Sequence, residues 1–242
     1  MHPREKLIVA LDVSTAAAAS KLVAAVGNAV ITYKVGLQLY TAEGPKVVRD
    51  LISMGRKVFL DLKYHDIPNT VASAVREAAG LGAAMITVHA LGGGKMLRAA
   101  AEAARAVNPD VKVLAVTVLT SMDDPELARV GVQGRVMDAV TRLAALAIAE
   151  GCHGVVASAQ EAPELRRQLG NDLVIVTPGV RPAGAGHGDQ ARVVTPADAI
   201  AAGATYIVVG RPIIEAADPG QAAREILEQM SGRGLPKLSA EH

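Results

Sequence analysis

Asp61, Lys63 and Asp66 fall within one short stretch, KVFLDLKYHDIPNT, at residues 57–70. Val58, Leu60 and Leu62 alternate there with Phe59, Asp61 and Lys63, which is the period of a β-strand. Residues two apart on a strand share a face, so Asp61 and Lys63 point the same way with Cα atoms roughly 7 Å apart. Charges on one face of an apolar strand cost free energy unless they pair. An ammonium fixed among carboxylates can stabilise negative charge on a bound molecule and supply a proton to it. The same cluster also suits a structural ion pair at the mouth of a barrel.

Such residues need a scaffold, and the rest of the chain has one. Of 242 residues half are hydrophobic, yet there is one Phe, four Tyr and no Trp. The core must therefore be Ala, Val, Leu and Ile packed between regular elements. Short apolar runs recur at 7–12, 29–35, 58–63, 84–89, 113–120, 153–157, 173–177 and 205–209, with helical periodicity between them. Ser14 or Thr15 and Thr195-Pro196 read as helix starts and Gly27 as a stop, and Asp123, Asp124 and Pro125 read as a polar loop. Strands apolar on both faces belong to a parallel sheet, whose connections must be crossover helices. Eight such units without a linker predict a single-domain α/β protein, a (β/α)8 TIM barrel over residues 1–230, with a loose tail at 231–242. An open doubly wound sheet is the rival architecture.

Composition narrows the partners. The net charge is +1 with no basic block, so no electrostatic footprint for nucleic acid or an anionic membrane is present. The lone Cys152 cannot form an intrachain disulfide and reads as a small buried residue. The first apolar run begins within the opening residues without signal-peptide organisation, and no run is long enough for a membrane helix. The expectation is a cytoplasmic protein.

In a (β/α)8 barrel the chemistry lies at the C-terminal strand ends. Those ends carry Asp12, Lys34, Asp61 with Lys63, His89, Thr120 with Ser121, Pro178, and Gly210 with Arg211. His89 reads as a satisfied or supporting histidine and His65 as a loop hydrogen-bonder. The loops after the seventh and eighth strands commonly hold phosphate in this fold. Here Gly210 permits close backbone approach and Arg211 offers a planar fork of donors. Arg181 and Gln190 flank the glycines of the loop at 180–192, which reads as a segment able to close over a ligand.

DLKYHDIPNT, then TPGVRPAGAGHGDQARVVTP and VVGRPI, closely resemble the orotidine 5'-phosphate decarboxylase family. LIVALD, YKVG and VTVLTS fall in that family's order, so the resemblance spans nearly the whole chain. Tyr64, where the family commonly has Phe, is a minor departure. The resemblance implies conversion of orotidine monophosphate to UMP and CO₂ without metal or organic cofactor. It implies Lys63 as proton donor to ring carbon 6, set between Asp61 and Asp66. Asp12 and Lys34 would hold the ribose hydroxyls, and Thr120 and Ser121 would meet the nucleotide. Arg181, Gln190, Gly210 and Arg211 would hold the phosphate. Asp66 and Thr70 would reach into the neighbouring subunit's site, making the active form a homodimer with shared active sites. Two other classes remain open on the residues alone. One is a metal-dependent sugar-phosphate lyase, which would need a further acid at the mouth; the other is a non-catalytic nucleotide binder.

Overall fold

The computed structural model describes residues 2–182 and 194–231. Eight parallel strands close into one barrel in chain order: β1 (Leu7–Ala10), β2 (Thr32–Gly36), β3 (Lys57–Tyr64), β4 (Met85–His89), β5 (Lys112–Val116), β6 (Gly154–Val156), β7 (Val174–Thr177) and β8 (Tyr206–Val209). β8 returns to β1, pairing Val208 with Ile8 and Val209 with Val9. The (β/α)8 architecture is therefore realised and the open-sheet alternative is not. Among the described residues no helix is long and apolar enough to cross a membrane.

Alternation along each strand divides the core in two. Ile8, Ala10, Phe59, Leu114, Val176 and Val208 fill the barrel interior. The intervening residues, such as Leu7, Val9, Val58, Leu60, Val113 and Ile175, pack outward against the helices. The helix Pro68–Gly80 shows the outer layer's logic: Val71, Val75, Ala78 and Ala79 are buried at helical spacing. Each buried valine there contributes roughly 1.5–3 kcal/mol.

The inner file of side chains is what aims the chemistry. Continuing the two-residue alternation past the apolar filling, Ile8 and Ala10 lead to Asp12, Phe59 to Asp61, Val176 to Pro178, and Val208 to Gly210. Polar side chains thus surface above a packed floor, at the C-terminal mouth.

Three local expectations are corrected. β5 stops at Val116 rather than running to Thr120, because its partner β6 has only three residues and pairs Leu114, Ala115 and Val116. The polar segment around Asp124 is a short helix, Asp124–Arg129, whose first turn is capped by the Asp123 carboxylate accepting from Glu126 N at 2.9 Å. β3 is not a regular strand to its end. It pairs Leu60 with Ile86 and then Tyr64 with Val88, so three residues bulge opposite Thr87 alone. The last helix, Pro219–Met230, ends where the tail begins; beyond Ser231 the tail lies outside the described residues.

Candidate active site

A cavity of about 300 Å³ opens at the C-terminal mouth. Its wall includes Asp12, Lys34, Asp61 and Lys63 from the first three strands, Thr120, and Arg181, Gly210 and Arg211 from the segments after β7 and β8. Four of these come from consecutive strands and form a chain of alternating charge. Lys34 Nζ lies 3.0 Å from Asp12 Oδ1 and 3.9 Å from Asp61 Oδ2, and Lys63 Nζ lies 2.9 Å from Asp61 Oδ1. The Asp61 and Lys34 side chains are each only 13% exposed. Two cations and two anions so placed offset each other's burial, which is how a half-buried cluster of this kind stays affordable.

Lys63 has the most particular geometry. Its φ of 52° makes it the one residue other than glycine in the left-handed region among the described residues. That conformation costs on the order of 1–2 kcal/mol for a residue with a Cβ. The bulge, not simple alternation, turns its side chain back toward Asp61. Of the three donors on its ammonium, the described hydrogen bonds engage one, to Asp61 Oδ1. The remaining donors face a cavity the lysine lines.

Other expected site residues are placed differently. Asp66, Thr70 and Ser121 are exposed and do not line the cavity. Asp66 Oδ1 accepts from Ile67 N at 2.6 Å, and no ion pair between Asp66 and Lys63 occurs among the described residues. Within one chain Lys63 is thus paired with Asp61 and not set between two carboxylates. Gln190 lies outside the described residues, as does the glycine-rich part of its loop. His89 stacks on His65 with ring centroids 5.2 Å apart, and its Nδ1 accepts from Leu91 N at 3.4 Å. Burial, then the nearby His65 and Lys63, holds the His89 pKa below its ordinary value. Burial pushes the Cys152 thiol up to about 12, which makes it an inert packing residue. Sequence reasoning missed Thr87, a fully buried residue hydrogen-bonded to both Asp61 and Lys63. The signal was a lone hydroxyl on the inward file of β4, between Met85 and His89.

The profile of the orotidine 5'-phosphate decarboxylase / HUMPS family matches residues 5–226. The chain belongs to that family. It is 54% identical over 226 residues to orotidine 5'-phosphate decarboxylase of Anaeromyxobacter dehalogenans, covering 93% of this chain and 98% of the relative. The corresponding protein of Afipia carboxidovorans is 53% identical over 230 residues, with 95% and 96% coverage. The crystal structure of the orotidine 5'-phosphate decarboxylase from Lactobacillus acidophilus superposes with a TM-score of 0.84 at 38% identity, covering 93% of this chain and 99% of that one. Family membership thus extends across the barrel and includes the strands that carry the charged cluster.

Proposed function

We propose that this chain removes CO₂ from orotidine 5'-monophosphate to give UMP, a step of pyrimidine nucleotide biosynthesis, in the cytoplasm. The observation that carries the reading is the Lys63 ammonium, 2.9 Å from Asp61 on the wall of a cavity that Arg181 and Arg211 also line. The names of the relatives point to the same reaction. Breaking the bond between ring carbon 6 and the carboxylate releases CO₂ and leaves an electron pair in the ring plane. A preorganised cation at that position stabilises the developing charge, then Lys63 transfers a proton to carbon 6. The Asp61 carboxylate keeps the ammonium in place; repulsion of the departing carboxylate by Asp61 is a lesser contribution.

The substrate's other parts find matching groups. Asp12 and Lys34 hold the ribose hydroxyls, and Thr120 and Ser121 meet the nucleotide, with Ser121 near the pyrimidine amide. Arg181, Arg211, Gln190 and the Gly210 backbone take the phosphate. A Cβ at Gly210 would meet only Ala10 Cβ and Asp12 Oδ2, each at 3.5 Å, so packing within the chain does not demand glycine there. Close approach of a ligand does. Release of CO₂ from orotidine monophosphate, assayed with and without a chelator, tests the whole reading. Unchanged release after chelation is expected, whereas release restored only by Mg²⁺ would move the chain to the sugar-phosphate lyase class.

The active form in this proposal is a homodimer. Residues 65–70 are exposed without interruption, and Ile67 is 67% exposed beside Asp66. An apolar side chain so placed, next to an Asp66 that forms no ion pair among the described residues, suits a surface covered by a second copy. Lys63→Ala and Asp66→Asn chains mixed and exchanged would form about half heterodimers by chance pairing. Each heterodimer carries one native site, so about a quarter of wild-type activity should return. No recovery despite proven exchange would place Asp66 in its own chain's site.

A further inference from the structure

Thr87 lies on β4 and is fully buried, and it does not line the cavity. Its Oγ1 donates to Asp61 Oδ1 at 3.0 Å and accepts from Lys63 N at 2.9 Å. The second bond answers a specific need. Where β3 slips against β4, Lys63 N has no ladder partner, since pairing resumes only at Tyr64 and Val88. A buried amide without an acceptor is unfavourable, and the hydroxyl supplies one. Asp61 Oδ1 also receives Lys63 Nζ at 2.9 Å, which closes a ring. Lys63 N binds Thr87 Oγ1, Thr87 Oγ1 binds Asp61 Oδ1, and the same oxygen binds the Lys63 ammonium. Both ends of one residue are therefore tied to a single carboxylate oxygen, the ammonium directly and the amide through the Thr87 hydroxyl.

We propose that Thr87 is a positioning residue that holds the left-handed bulge of β3 and thereby aims the Lys63 ammonium and the Asp61 carboxylate into the cavity. The inference rests on the decarboxylase reading for its effect on rate, though not for its geometry. A hydroxyl carries one donor and two acceptor positions, so it can serve the carboxylate and the amide together. Threonine's branched Cβ restricts its χ1, which keeps that hydroxyl between the two partners. Valine has the same shape and can serve neither. Serine can serve both. Misplacement of a reacting group by about 1 Å lowers rates by about 100-fold, so loss of the tether should be read mainly in turnover.

The test compares Thr87→Val and Thr87→Ser with wild type on orotidine monophosphate. Thr87→Val should lose about 10- to 100-fold in kcat with KM within about twofold, as expected when ground-state binding is spared. Thr87→Ser should stay near wild type. Equal losses in Val and Ser, a loss confined to KM, or no loss in Val would overturn the proposal. If Thr87→Val does not fold, Thr87→Ala against Thr87→Ser reads the same hydroxyl. The Lys63 ¹³Cε resonance, assigned with Lys63→Ala, gives a measure free of turnover. It should move in Thr87→Val and stay in Thr87→Ser, and an unmoved resonance in Thr87→Val would sink the proposal. Wild type that releases no CO₂ would refute the decarboxylase reading, and the resonance would still decide the tether.

Discussion

Cations stand at both ends of the barrel, and they are satisfied in opposite ways. At the N-terminal end Arg166 gives its Nε to Gly203 O at 3.0 Å and its Nη2 to Gly203 O and Thr205 Oγ1, each at 2.8 Å. Its Nη1 donates to Asn171 O at 2.9 Å and also to Leu173 O. All these acceptors are neutral, and no ion pair of the described residues includes Arg166. Burial pulls its pKa down from the ordinary arginine value, yet a guanidinium stays charged at any working pH. At the mouth, Lys34 and Lys63 are held by carboxylates, and Lys63 keeps donors to spare. The guanidinium uses its fixed fork to tie the loops that lead into β7 and β8. The ammonium, compact and carried on a flexible stem, suits transfer of a proton. Full satisfaction by neutral acceptors builds the fold, while partial satisfaction by charged ones leaves capacity for a ligand.

Removing each cation should break the two ends differently. Lys63→Ala should lower decarboxylation by about 10³-fold or more while the thermal midpoint and nucleotide binding persist. Arg166→Ala should instead cost about 2–4 kcal/mol of stability, from several lost hydrogen bonds and stranded carbonyls, with kcat of the folded fraction near wild type. Paired kinetics and denaturant melts of the two variants decide this. A stable, inactive Arg166→Ala or an unfolded Lys63→Ala would dissolve the distinction.

Arg211, the cation proposed to meet only the phosphate at the remote end of the substrate, should fall between these extremes. Arg211→Ala should lower kcat/KM by ~3–5 kcal/mol, against ~1–2 for Gln190→Ala, as charged and neutral hydrogen bonds differ. The unphosphorylated nucleoside should turn over very poorly with wild type, and Arg211→Ala should hardly slow it further, because the group it serves is absent. A large additional loss on the nucleoside would mean that Arg211 supports the fold or the ring site.

The smallest effect is expected from one methyl group. A Cβ at Gly36 would stand 2.7 Å from Lys34 Nζ, which is the free end of a flexible side chain. The lysine can swing away, so Gly36→Ala should leave the melting temperature within about 2 °C, matching a stability change below about 0.5 kcal/mol. It would pull the ammonium from between Asp12 and Asp61, and kcat/KM should drop by about tenfold. An unchanged rate would show that Lys34 need not occupy the place it has here.

Much of this was legible along the chain. Thr15 and Thr195 accept from Ala18 N and Asp198 N at helix starts, as their hydroxyls and spacing predict. Inner and outer strand faces follow from period two, so Asp12, Lys34, Asp61 and Arg211 could be assigned to one mouth once the strands were counted. These features depend on residues near one another in sequence or on a strict repeat, and the barrel closes them automatically. The bulge of β3 could not be read that way. Its register against β4 depends on Ile86 and Val88, more than 20 residues away, and on the Thr87 hydroxyl that accepts the stranded amide. Nor could the early end of β5, which is set by the length of β6. Local propensity and periodicity decided the elements and the face each charge would take. Only the tertiary structure decided that Lys63 turns back through the left-handed region onto Asp61, because the amide stranded by that turn finds its acceptor on the neighbouring strand, in the Thr87 hydroxyl.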